Sequence, residues 1–107
     1  MKRVEVSTMS LRRDEQTDTL FRSILALESV EECYRYFEDL CTNKEVRDFG
    51  QRLEIARQLD AGSSYQQVAE ATGVSSATIG RVKRCLDYGP GGYRMILNRL
   101  QNEEDAR

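Results

Sequence analysis

Six residues between Tyr65 and Leu86 restrict what this chain can fold into more than any other feature. Val68 and Ala69 are apolar neighbours, Gly73 stands four positions after Ala69, Val74 follows it, and Ile79 and Val82 repeat at helical spacing. A small Ala suits a point where a second helix crosses directly over the first. A Gly in the turn supplies a positive φ that other residues adopt only with strain. Val74 then fills the gap beneath the turn, and Ile79 and Val82 face inward from the second helix. This is the packing requirement of two short helices crossing at roughly 90–120°, a helix-turn-helix.

The rest of the chain is patterned for helices as well. From Glu15 a broad apolar stripe holds Leu20, Phe21, Ile24, Leu25 and Leu27. Ser29-Val30-Glu31-Glu32 has the form of a capping box and opens a helix with Tyr34, Phe37, Leu40 and Cys41. Thr42 to Glu45 repeats that form before Val46, Phe49, Leu53, Ala56 and Leu59. Gly50 lies inside this third helix, where it costs about 1 kcal/mol against Ala. A close helix crossing or access for a ligand would each account for it. Gly62 reads as a left-handed cap. Ser64 with Gln67 forms a third box, a further start falls at Ser75 or Ser76, and Tyr88 to Gly92 is a turn cluster. A last amphipathic helix carries Tyr93, Ile96, Leu97 and Leu100.

The expectation is an all-α chain of one domain over residues 14–101. An arm precedes it at 1–13 and an acidic tail follows at 102–107. Within the domain, helices before about residue 62 precede a helix-turn-helix at about 64–87 and a C-terminal helix at about 91–102. Only 7% of the 107 residues are aromatic and none is Trp. A core so built is shallow, and a second copy would help to complete it.

Several function classes are excluded by what is missing. The chain has no His, the commonest general base and metal ligand. Its carboxylates fall mainly on solvated helix faces, as at Glu31, Glu32, Glu38 and Asp39. Gly89-Pro90-Gly91-Gly92 lacks the Lys-Ser/Thr of a phosphate-binding loop. The reading is therefore no enzyme, no catalytic residues and no cofactor. Cys33, Cys41 and Cys85 are odd in number with no CxxC pair, which points to reduced thiols and no metal site. No apolar run is long enough to span a membrane, and no secretory signal is visible, so the expected place is the cytoplasm.

Charge points the same way as the motif. The whole chain carries a net −2, yet residues 64–99 hold five basic and two acidic residues. The second motif helix opens with Ser75, Ser76, Ala77 and Thr78, short enough for close approach to base edges in a DNA groove. Its free N–H groups favour phosphate. Gly80, Arg81, Lys83 and Arg84 continue the outward face, and Tyr65 and Gln66 begin the first motif helix beside it. These ten residues are the expected contacts to double-stranded DNA. The alternative is a protein-binding module that uses the same shape without DNA.

Thr42 with Glu45, Gly50-Gln51-Arg52, and Ala77-Thr78-Ile79-Gly80-Arg81, taken in this order, resemble the Trp repressor family, in particular its short members of the YerC/YecD type. The resemblance spans about Thr42 to Leu97. It implies an intertwined all-helical homodimer whose two recognition helices lie one DNA turn apart. A palindromic operator and a repressor function follow from that arrangement. It also implies a small amino-acid-like effector. Arg52 would hold its carboxylate, Arg81 would stack on its ring side, the Thr42 carbonyl would take its ammonium end, and Thr78 and Cys85 would lie nearby. The chain departs from the family pattern in three ways. Val82 replaces a Gly, Cys85 replaces a Ser, and the linker before the motif is one residue shorter. The Gly makes room for an indole, so these changes argue against tryptophan. A different small metabolite, or a pocket filled by Val82 itself, are the alternatives.

Overall fold

The computed structural model describes residues 11–106, and those residues form six α-helices and no strand. In chain order these are α1 (Glu15–Leu25), α2 (Val30–Leu40), α3 (Asn43–Asp60), α4 (Tyr65–Thr72), α5 (Ser76–Tyr88) and α6 (Gly92–Asp105). Most of the expected arm falls outside the described residues. The last helix runs on to Asp105, through most of the acidic segment expected to follow it. Gln101 and Asp105, one turn apart, hydrogen-bond along that extension.

Local chemistry fixes the helix starts. Asp14 caps α1 by accepting from the Thr17 N–H at 2.8 Å. That backbone donor is the main reason its carboxyl lies below the usual range. Ser29 caps α2 by accepting from the Glu32 N–H. The Glu32 carboxylate does not return the bond to Ser29 as a full box would. It accepts from the Glu28 N–H, one residue further out. Ser64 and Gln67 form a complete reciprocal box at the start of α4. Ser75 caps α5 through the Thr78 N–H.

The chain divides into two compact units at the start of α3, the first ending at Asn43 and the second beginning at Lys44. In the first unit α1 and α2 are joined by a 2.6 Å hydrogen bond between the Ser23 and Tyr36 hydroxyls. Neither helix holds a buried residue. Leu27, grouped with the α1 stripe in the sequence, lies beyond the helix end, and its N–H bonds to Ile24 in a final turn. The second unit has a core of Ile55, Ala56, Leu59, Val68, Ile79, Val82, Leu86 and Leu97. Leu53, Ala69, Val74 and Tyr93 pack against it half-buried.

Within α3 the core begins only at Ile55, while Val46 and Phe49 are exposed. Ile55 was absent from the sequence-derived stripe, yet it is fully buried. A Cβ at Gly50 would meet no atom of the described residues within 4 Å. In α6 only Leu97 is buried; Ile96 and Leu100 remain exposed.

Candidate nucleic-acid interface

The site rests on the turn between α4 and α5. Thr72 donates its hydroxyl proton to the Val68 carbonyl at 2.7 Å and accepts from the Val74 N–H. Gly73 caps α4 at φ +75. The chain then enters α5 at the angle that buries Val68 beneath Ile79 and Val82. These three side chains are essentially inaccessible, which holds α5 rigidly by its inner face.

The outer face forms an open groove of about 680 Å³ lined by Tyr65, Ala77, Gly80, Arg81, Lys83 and Arg84, together with Asp87 and Tyr88. The first six were expected from the sequence. Asp87 and Tyr88 were missed, although each stands four positions after a basic groove residue, Lys83 and Arg84, and so shares its helix face. Gly80 is where the Tyr65 ring comes across α5; a Cβ there would lie 3.9 Å from the tyrosine hydroxyl. Tyr65 is thereby placed as one wall of the groove.

The remaining expected contacts cluster at helix starts. Ser75, Ser76 and Ala77 are exposed. Ser75 and Thr78 share a hydrogen bond between hydroxyls at 3.2 Å, and Thr78 is half-buried. Gln66 is exposed in the first turn of α4 and bonds Glu70 at 3.3 Å.

The distribution of charge is narrower than the sequence count implies. Lys83 pairs with Asp87 at 3.3 Å. Arg94 pairs with Asp60 at 2.6 Å and with Asp87 at 3.4 Å, and its Nε donates to the Leu86 carbonyl. Among the described residues, Arg81 and Arg84 carry no such partner, and both line the groove.

The residues suggested for an effector lie on different elements, Arg52 in α3 and Thr78, Arg81 and Cys85 in α5. Arg81 belongs to the outward groove. Arg52 and Cys85 both act electrostatically on Tyr93, which the sequence reading had placed only in an apolar stripe. The Arg52 guanidinium lies 5.3 Å from the centre of the Phe49 ring. Tyr93 is held above the ordinary tyrosine range mainly by burial. The Arg52 charge opposes this and Cys85 adds to it. Thr42 directly precedes α3. Val82 is a core residue, 1% exposed.

An all-α chain with a tight, glycine-turned helix pair and a basic outer groove defines a helix-turn-helix protein. The family profile described as Trp repressor protein matches residues 15–101, and the chain belongs to that family. It is 51% identical over 92 residues to the uncharacterized protein YerC of Bacillus subtilis (strain 168), covering 86% of this chain and 88% of the relative. A crystal structure of a candidate Trp repressor from Staphylococcus aureus superposes with a TM-score of 0.80 at 45% identity, over 83% of this chain and 89% of that one. A TrpR-like protein from Eubacterium eligens ATCC 27750 gives 0.77 at 43% identity, over 80% and 89%.

Proposed function

We propose that the chain is a cytoplasmic, sequence-specific DNA-binding transcriptional regulator, a repressor, that binds a palindromic operator as a homodimer. The observation that carries this reading is the outer face of α5. Its start is capped yet exposed, its groove is open, and Arg81 and Arg84 have no partner among the described residues. Ser76 and Ala77 are short enough to let the helix end reach base edges, and the two arginines suit phosphates or guanine. Two α5 helices related by a two-fold axis would read two half-sites one helical turn apart.

Homodimerisation draws support from the apolar surface the chain leaves uncovered. Leu25, Val30 and Tyr34 are 82%, 73% and 68% exposed, and Phe21, Val46 and Phe49 are exposed as well. A second copy is the partner that would cover them. The open space at Gly50 would then allow a close crossing by the partner chain.

A small amino-acid-like effector at Thr42, Arg52, Thr78, Arg81 and Cys85 is the further part of the proposal. Tryptophan is not proposed, because Val82 occupies the position where an indole needs room.

Selection of genomic fragments by the purified protein at near-physiological salt, with and without a pool of amino acids, tests all three parts. Enrichment of one palindrome is the expected result. Enrichment only with the pool supports effector gating, and enrichment without it removes the effector. A folded protein that enriches nothing in either condition overturns the DNA reading in favour of a protein-binding module.

A further inference from the structure

We infer that Asp87 is an affinity brake on duplex binding, acting by holding Lys83 away from phosphate. This inference rests on the DNA-binding reading of the α5 groove. Asp87 is the one carboxylate among the residues that line it. Both of its oxygens face Lys83, with Oδ2 at 3.3 Å and Oδ1 at 3.5 Å from Nζ. The Lys83 and Asp87 side chains are 41% and 32% exposed, so the pair stands at the groove wall within reach of a docked backbone.

Asp87 is kept in place from the other side. Arg94 Nη2 approaches Asp87 Oδ1 at 3.4 Å while Nη1 holds Asp60 in α3 and Nε holds the Leu86 carbonyl. The Arg94 fork therefore ties α6, α3 and the last turn of α5 together at the foot of the groove. When Lys83 leaves for a phosphate, Arg94 remains to neutralise Asp87, so no carboxylate is stranded. Arg94 is a positioning residue in this scheme, and Asp87 sets how much of the groove's positive charge is available.

The consequence concerns all duplexes alike. Phosphate attraction is independent of sequence and supplies nearly all non-specific affinity. A brake on it lowers binding everywhere and leaves discrimination to Ser76, Ala77 and Thr78.

The test measures fluorescence anisotropy of a labelled mixed-sequence duplex across a salt series, using wild type, Asp87→Asn, Lys83→Gln and the double variant. Thermal melting verifies that each is folded. Asp87→Asn is expected to bind about two- to fivefold more tightly, the range of a partly exposed ion pair. Its log-log salt slope should steepen by about 0.9, one extra phosphate contact. In the Lys83→Gln background the Asp87 change should no longer steepen the slope. Unchanged or weaker binding by folded Asp87→Asn overturns the brake. A gain that persists undiminished with Lys83→Gln overturns the action through Lys83. A wild type that shows no salt-dependent duplex binding at all overturns the DNA reading itself, a result distinct from either.

Discussion

The two units of this chain use apolar residues in opposite ways. The unit from Lys44 onward buries eight hydrophobic side chains and leaves no polar group in its core. The unit ending at Asn43 has two well-capped amphipathic helices, yet none of its described residues is buried. Leu25, Val30 and Tyr34 face outward from helices with the same quality of N-cap as those bounding the core. Good caps and an apolar stripe make a helix; they do not supply the surface that the stripe must cover. The first unit therefore leaves its apolar stripes uncovered, and the second is organised by its own packing.

The largest expected effect tests the second half of that contrast. Ile79→Ala removes a fully buried side chain beneath the α4–α5 turn and should destabilise by about 2–4 kcal/mol in urea unfolding. A loss under about 1 kcal/mol would show that this core is looser than it looks. Next comes the first unit. Val30→Asp combined with Tyr34→Asp changes only exposed positions of the single chain, where substitutions ordinarily alter stability by about 0.5 kcal/mol or less. If a second copy covers them, sedimentation will show the dimer lost at micromolar concentration. An unchanged mass would place this apolar face in water and break the comparison.

Backbone chemistry contributes less. Gly73→Ala meets open space, so its expected penalty of about 1–2 kcal/mol comes only from the left-handed φ of +75. Ser64→Ala should cost about 1 kcal/mol by opening the capping box, and Ser64→Gly only a few tenths. A Ser64→Ala penalty as small as that of Gly would mean the hydroxyl contributes nothing beyond backbone fit.

The smallest effect is electrostatic. Glu54 accepts from the Arg57 Nε at 2.9 Å and from Gln58, and these bonds, Arg57's first, lower its pKa from 4.5 to about 2. Its folded pKa is depressed. The stabilisation is therefore present above the ordinary carboxylate range and is lost as the pH falls toward about 2. Both partners are well exposed, so the difference from Glu54→Gln should be a few tenths of a kcal/mol at neutral pH. It should shrink to nothing in acid, measured by thermal melting across pH.

The helix-turn-helix was readable because its demands are local. Ser64 with Gln67, Gly73 at its positive φ and Ser75 each satisfy backbone groups within a few residues of themselves, and each appears in the structure in its expected role. The groove was legible in part. Arg81 and Arg84 have no ion-pair partner among the described residues, but Lys83 and Arg94 counted as basic without being available. The carboxylates that engage them belong to α5 itself and to α3. Tyr93 read as one more apolar residue of α6, and only packing brought it under the electrostatic influence of Arg52 and Cys85. The stripe in α3 missed Ile55 because spacing alone does not say where along an 18-residue helix the neighbouring elements arrive.

By itself the sequence determined the run of helices, the serine caps at Ser29 and Ser64, the turn at Gly73 and the side of α5 that faces out. All of these follow from interactions spanning a handful of residues. The tertiary structure decided which stripes are covered and which cations are free. Burial and ion pairing depend on atoms as distant in the chain as Asp60 and Arg94, whose meeting at 2.6 Å no local pattern encodes.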